Sequence, residues 1–125
     1  MNSNIHNNRI IGKEFEKVAC DYLRSLGYII LENNYIAHGG EIDVIAMDNN
    51  VMVFVEVKYR KDIRCGSPLE AVTTIKQKRI SKAAEYYYTY HGADKGLQCR
   101  FDVIGILGDG TIKHIKNAFD YCRQG

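Results

Sequence analysis

Three charged side chains stand out among apolar neighbours: Asp43 in Gly40-Glu41-Ile42-Asp43, and Glu56 and Lys58 in Phe54-Val55-Glu56-Val57-Lys58. Side chains alternate along a strand, so Glu56 and Lys58 share one face about 6–7 Å apart, while Val53, Val55 and Val57 point the other way. A charged pair on an otherwise apolar strand needs water, a partner or a metal. A two-residue loop at Asn49-Asn50 sets Asp48 opposite Val51, Asp43 opposite Glu56 and Glu41 opposite Lys58. Cβ atoms directly across such a pair lie about 4.5–5.5 Å apart. A four-residue loop from Asp48 to Val51 keeps this pairing, whereas a three-residue loop at Asp48–Asn50 moves Asp43 opposite Val55. Two facing carboxylates repel unless a proton or cation lies between them. Hard ions such as Mg²⁺ or Mn²⁺ take oxygen ligands of this kind. The chemistry that uses such a set is phosphodiester hydrolysis: the ion polarises phosphate and activates water. Lys58 would stabilise developing negative charge or orient the water. A solvated, ion-paired surface would contain the same residue types.

The elements that must position these groups follow from periodicity. Phe15, Val18, Ala19, Tyr22, Leu23 and Leu26 recur at helical spacing, and Gly27 ends that helix. Tyr28–Leu31 reads as a first strand and 33–40 as a turn-rich connection. Glu41–Met47 alternates, with Ile42, Val44 and Ala46 expected on one side. Val51–Tyr59 is the clearest strand, followed by an irregular charged loop at Lys61–Pro68. Thr73 or Thr74 can cap a helix running to about Tyr90, with Val72, Ile75, Ile80, Ala83 and Tyr87 as its apolar stripe. Strands are expected at 97–107 and 111–115, and a short helical turn at 117–123. Helix, strands, helix, strands predicts an α/β fold, a mixed sheet flanked by helices.

At 125 residues the chain suits a single domain, divided here into a flexible N-terminus at 1–10, a folded domain at 11–121 and a tail at 122–125. Folding would bury about two-thirds of the extended chain's surface, which excludes a disordered tail or a separate substrate domain. The net charge is only +2, but it is unevenly spread. Between Lys58 and Lys82 eight basic residues face only Asp62 and Glu70. Arg60, Lys61, Arg64, Lys76, Lys78, Arg79 and Lys82 are therefore the candidate nucleic-acid contacts. Cys20, Cys65, Cys99 and Cys122 lack metal-site spacing and read as reduced thiols of a cytoplasmic protein. No secretory signal or membrane-length apolar run is seen, and no phosphate-cradling glycine motif, so no membrane or nucleotide cofactor is expected.

The motifs resemble the YraN family of small bacterial proteins described as predicted endonucleases. The likeness runs from about Ile11 to Phe119 and is carried by Gly40-Glu41-Ile42-Asp43-Val44-Ile45-Ala46, Val53–Arg60, Gly66, Glu70-Ala71-Val72, Lys76, Arg100-Phe101-Asp102-Val103 and His114-Ile115-x-Asn117-Ala118-Phe119. The family looks like a branch of the restriction-endonuclease-like superfamily, similar in pattern to archaeal Holliday-junction resolvases. That superfamily uses an acid, then Glu-x-Lys on the next strand, with a divalent ion. The resemblance implies Asp43, Glu56 and Lys58 as catalytic residues, with Asp43 and Glu56 as metal ligands, Glu41 as a further candidate ligand, and Glu16 as a helix glutamate that completes such sites. The family commonly has Gly before that glutamate; this chain has Phe15. Helical periodicity puts Glu16 about 90° from the centre of its apolar stripe, where it can reach a sheet edge.

Arg100 and Asp102 share a strand face and read as a structural or supporting ion pair. Lys76 falls within the apolar stripe of the second helix, where a basic residue snorkels, pairs with carboxylates or meets substrate phosphates. Tyr86-Tyr87-Tyr88 with Tyr90 could pack, stack on unpaired bases or line a dimer interface. The expected function is metal-dependent DNA cleavage, of branched or damaged DNA, by a monomer or homodimer. The alternatives are a nucleic-acid-binding module with a vestigial site, or an interaction protein using its basic strip.

Overall fold

The computed structural model describes the backbone of residues 3–122 and the side chains from Glu14 onward. The expected N-terminal segment begins, and the expected tail at 122–125 ends, outside the described residues. Helix α1 spans Ser3–Ser25, followed by strands β1 (Ile29–Ala37), β2 (Gly40–Asp48) and β3 (Val51–Arg60). Two short 3₁₀ turns lead to helix α2 (Thr74–His91), then β4 (Gln98–Leu107) and β5 (Ile112–Phe119). The five strands form one sheet in sequential order. Neighbours are antiparallel except β3 and β4, which run parallel because α2 carries the chain back between them.

α1 packs on one face of the sheet through Ala19 and Leu23, against Val44, Val53, Val55, Ile104 and Ile106. α2 covers the other face through Ile80, Ala83, Ala84 and Tyr87, against Ile45, Met52, Phe54, Phe101 and Val103. β3 is thus buried on both sides, as its run of valines and aromatics requires. Full burial of each such side chain contributes about 1.5–3 kcal/mol. Thr73 caps α2, its side chain accepting from the Lys76 backbone N–H at 3.2 Å. Gly27, at φ 90°, ends α1, with the Tyr28 N–H bonded back to the Leu23 carbonyl at 3.1 Å.

Four expectations are corrected. The stretch 33–40 is not a long connection: β1 continues to Ala37, and His38-Gly39, at φ 52° and 77°, form a two-residue turn pairing Ala37 with Gly40. Ile42 does not share a face with Val44 and Ala46. It joins Ile45 on the α2 side, because the β1–β2 pair is kinked. Asn34, the residue across from Asp43, takes φ 52°, and both Asn33 and Asn34 turn their side chains toward α1. Ile75 is 74% exposed. Helical phase sets it with Arg79 and Tyr86 on the outer side of α2, about 100° per residue from its neighbours. Finally, Asn117–Phe119 extend β5 instead of starting a helix, because Phe119 pairs with Phe101 across the sheet and stacks on its ring at 5.0 Å.

Candidate active site

The hairpin register is the one the two-residue loop requires. Asp48 pairs with Val51, and the β2–β3 ladder runs to Val44 opposite Val55. There regular pairing stops and the Asp43 carboxylate takes its place. Its Oδ2 accepts the Val57 backbone N–H at 2.8 Å. Asp43 is thereby held beside Glu56, on the face covered by α2.

Glu56 is 2% exposed. Its Oε2 lies 3.2 Å from the Lys58 ammonium and 3.6 Å from that of Lys76. Its Oε1 is buried without any hydrogen-bond partner. Burial, and after it the negative charge of Glu56, pushes the Asp43 carboxyl up to about 7 from its ordinary 3.8, although the Val57 N–H opposes the rise. The two carboxylates therefore share one buried pocket: Asp43 holds its proton into the neutral range, and a hydrogen bond between the two side chains adds to that rise.

Those features fit a hard divalent ion. Asp43 and Glu56 are the residues that would hold it. Among the described residues no group of three or more histidines, cysteines or acidic residues converges as a metal cluster. Mg²⁺ does not need one, since it keeps several waters and is bound through one or two carboxylates plus substrate phosphate.

Lys76 reaches this site because β2 starts hard against α2. A Cβ added at Gly40 would stand 2.1 Å from the Arg79 carbonyl oxygen, so only glycine permits the approach. The same contact lets the Arg79 Nε–H bond the Gly39 carbonyl at 3.2 Å and leaves Glu41 4.0 Å from Lys76. Glu41 thus faces Lys76 at the rim, beyond the end of the ladder that was to set it opposite Lys58. Glu16 is brought elsewhere. Its Oε2 accepts from Asn34 Nδ2 at 2.9 Å, on the α1 side of the sheet. Phe15, at the position where the family commonly has Gly, stacks on Tyr59 at 4.4 Å. Asn34 was missed in the sequence; an Asn-Asn pair inside a strand was the available signal of a kink.

The other basic candidates fall into two groups. At the end of β3, Arg60 bonds the Cys65 carbonyl, and in the loop that follows Arg64 pairs with Asp62 at 2.8 Å. Lys61 is exposed there, its carbonyl accepting from the Gly108 N–H at 3.1 Å. Lys78, Arg79 and Lys82 lie along the exposed side of α2.

Arg100 and Asp102 form a separate network on the α1 side. Arg100 bonds Asp102, Asp48 at 2.9 Å and the Tyr28 hydroxyl at 2.5 Å. Asp102 also meets His114 Nε2 at 2.7 Å and accepts the Asn117 N–H at 3.0 Å. Burial alone would raise the Asp102 carboxyl; its hydrogen bonds from His114, Arg100 and Asn117 hold it below the ordinary value instead. This network ties β4 to β2 and β5.

A mixed five-stranded sheet between two helices, with Asp43 on one strand and Glu56-x-Lys58 on the next, is restriction-endonuclease-like. The model of the uncharacterised protein family UPF0102 matches residues 15–106, and the chain belongs to that family, the YraN family of the sequence motifs. It is 45% identical over 118 residues to a UPF0102 protein of Chlorobium chlorochromatii, covering 87% of this chain and 90% of the relative. It is 45% identical over 114 residues to one of Lachnoclostridium phytofermentans, covering 91% and 96%. A third, from Clostridium botulinum, is 44% identical over 117 residues, covering 90% and 95%. No helix among the described residues is long and apolar enough to cross a membrane.

Proposed function

We propose that this chain is a divalent-metal-dependent endonuclease that hydrolyses phosphodiester bonds in DNA, with Mg²⁺ or Mn²⁺ as its ion. The observation that carries the reading is the buried Glu56 carboxylate beside Asp43, with the Lys58 and Lys76 ammonium groups 3.2 and 3.6 Å from its Oε2. Asp43 and Glu56 hold the ion, with the Val57 N–H fixing the Asp43 orientation. When bound, the ion supplies Lewis-acid polarisation of a phosphate oxygen and a more acidic water. Lys58, partly exposed and tethered to Glu56, meets the charge that grows on phosphate. Lys76, 3.6 Å from Glu56 Oε2, adds positive charge at the rim. DNA, over RNA, is supported by the resemblance to junction resolvases alone.

The test is a panel of linear, nicked, flapped and four-way DNA with Mg²⁺, Mn²⁺ or EDTA. Wild type is expected to cleave at least one substrate only when the ion is present. Lys58→Ala is expected to fold, bind DNA and cleave about 10²–10³-fold more slowly, the usual effect of losing one preorganised charge-stabilising donor. Asp43→Ala should bind DNA without turnover. A wild type that cleaves nothing, yet binds DNA as both variants do, would replace catalysis with the binding-module reading.

A further inference from the structure

The three consecutive tyrosines of α2 divide by helical phase. Tyr87 is core, edge-on to Tyr35 at 5.0 Å and to Phe54 at 6.5 Å. Tyr86 and Tyr90 lie outside, 39% and 65% exposed. Tyr86 contacts the exposed His38 ring at 4.3 Å and Tyr90 at 4.9 Å. The three rings form a continuous row across the β1–β2 turn and the outer side of α2. They border an open hollow of about 320 Å³ that Lys82, Glu85 and Thr89 complete. One Glu85 oxygen is occupied by the Tyr121 hydroxyl at 2.5 Å. None of these rings is needed to fill the core.

The row is aligned with the candidate active site. His38 begins the turn that continues directly into Gly40-Glu41-Ile42-Asp43. Along α2, Lys76 touches Glu56, Arg79 follows at the turn, Lys82 borders the hollow, and Tyr86 stands ten residues beyond Lys76. Ten helical residues rise about 15 Å, the span of roughly four stacked nucleotides at about 3.4 Å each. Positive charge therefore leads from the carboxylates to the aromatic row.

We infer that His38, Tyr86 and Tyr90 are a stacking platform for unpaired bases, so that the site takes DNA carrying a single-stranded segment next to the cleaved bond. This rests on the nuclease reading for the site's chemistry, but base binding does not require turnover. Successive bases present π-faces that such rings accept without regard to sequence, while Arg79 and Lys82 follow the phosphates. A fully paired duplex hides those faces and gains only the charge.

The experiment measures binding of a fluorescent oligo-dT strand and a blunt duplex of equal length, without added metal, by anisotropy. A 2-aminopurine strand reports stacking by quenching. Tyr86→Ala is expected to weaken single-strand binding about 5- to 150-fold, the equivalent of ~1–3 kcal/mol for one base–aromatic stack, and to leave duplex binding unchanged. Tyr86→Phe should retain both affinity and quenching. Lys82→Ala should weaken both ligands and lower the salt dependence of binding by about one phosphate. Thermal melting verifies that each variant is folded, and Tyr90→Ala supplies a second, more exposed site. Equal weakening of strand and duplex, or unchanged strand binding in both alanine variants, overturns the platform. So does loss of a wild-type dimer on sedimentation with strand affinity intact, which would make the row a self-association surface. Cleavage by wild type with no effect of the tyrosine variants removes the platform alone. Stacking without cleavage removes the nuclease reading alone.

Discussion

Replacing Asp43 with Asn tests the electrostatics of the site apart from its chemistry. The folded Asp43 carboxyl titrates at about 7 instead of 3.8, chiefly through burial and then through Glu56. Below pH 3.8 folded and unfolded chains both hold the proton, and Asp43 carries no penalty. Between the two values the unfolded chain releases a proton that the folded chain keeps, so this group's contribution falls as pH rises. Above pH 7 the full penalty applies. At 1.36 kcal/mol per pH unit, the difference amounts to about 4 kcal/mol. Asn stays neutral and keeps an oxygen for the Val57 N–H, but that bond loses about 1 kcal/mol of charge assistance. Asp43→Asn should therefore be more stable than wild type at pH 8 by about 2–3 kcal/mol, with the gap closing toward pH 4. Urea unfolding in EDTA from pH 4 to 8.5 reads this as a midpoint shift of about 1–2 M at ordinary slopes. Saturating Mg²⁺, at a hundred times its dissociation constant, should add about 2.7 kcal/mol to wild type and little to the variant. An Asn variant less stable than wild type at pH 8, with the same pH slope, would refute the repulsive pair. A magnesium response equal in both proteins would remove Asp43 as a ligand.

Two further substitutions probe the scaffold. Asp102→Ala leaves the Arg100 charge and the buried His114 without their shared carboxylate, and should cost about 3–5 kcal/mol in denaturant unfolding; a loss below about 1 kcal/mol would show the network to be incidental. Gly40→Ala drives a methyl into the Arg79 carbonyl at 2.1 Å and should cost about 1–3 kcal/mol through overpacking. Because its backbone is not left-handed, the cost comes from contact alone, and Ser at the same place should be no better tolerated.

What could be read without the structure was local. The run of alternating residues in β3 places Glu56 and Lys58 on one face by geometry internal to a strand, and Asn49-Asn50 sets the register of β2 against it. Thr73 caps α2 through a bond to its own third neighbour. Periodicity even put Lys76 inside the apolar stripe, though not what it met there. The kink at Asn34 and Asp43 escaped, because a positive φ in one strand becomes intelligible only when the partner strand and α1 are in place. The true extent of β5 escaped for a similar reason. Asn117–Phe119 is extended because Phe119 finds Phe101 and the Asn117 N–H finds Asp102, partners from another strand. Helical periodicity already set Tyr87 in the apolar stripe apart from Tyr86, but that Tyr86 meets His38 depended on where the β1–β2 turn lies against α2. Lys76 reaching Glu56 required β2 to close on α2 at Gly40, a contact between segments forty residues apart. Alternation and capping act between neighbours along the chain. Burial, orphaned atoms and shifted proton affinities arise only when distant segments exclude water from one another, and the carboxylate pair acquires its chemistry there.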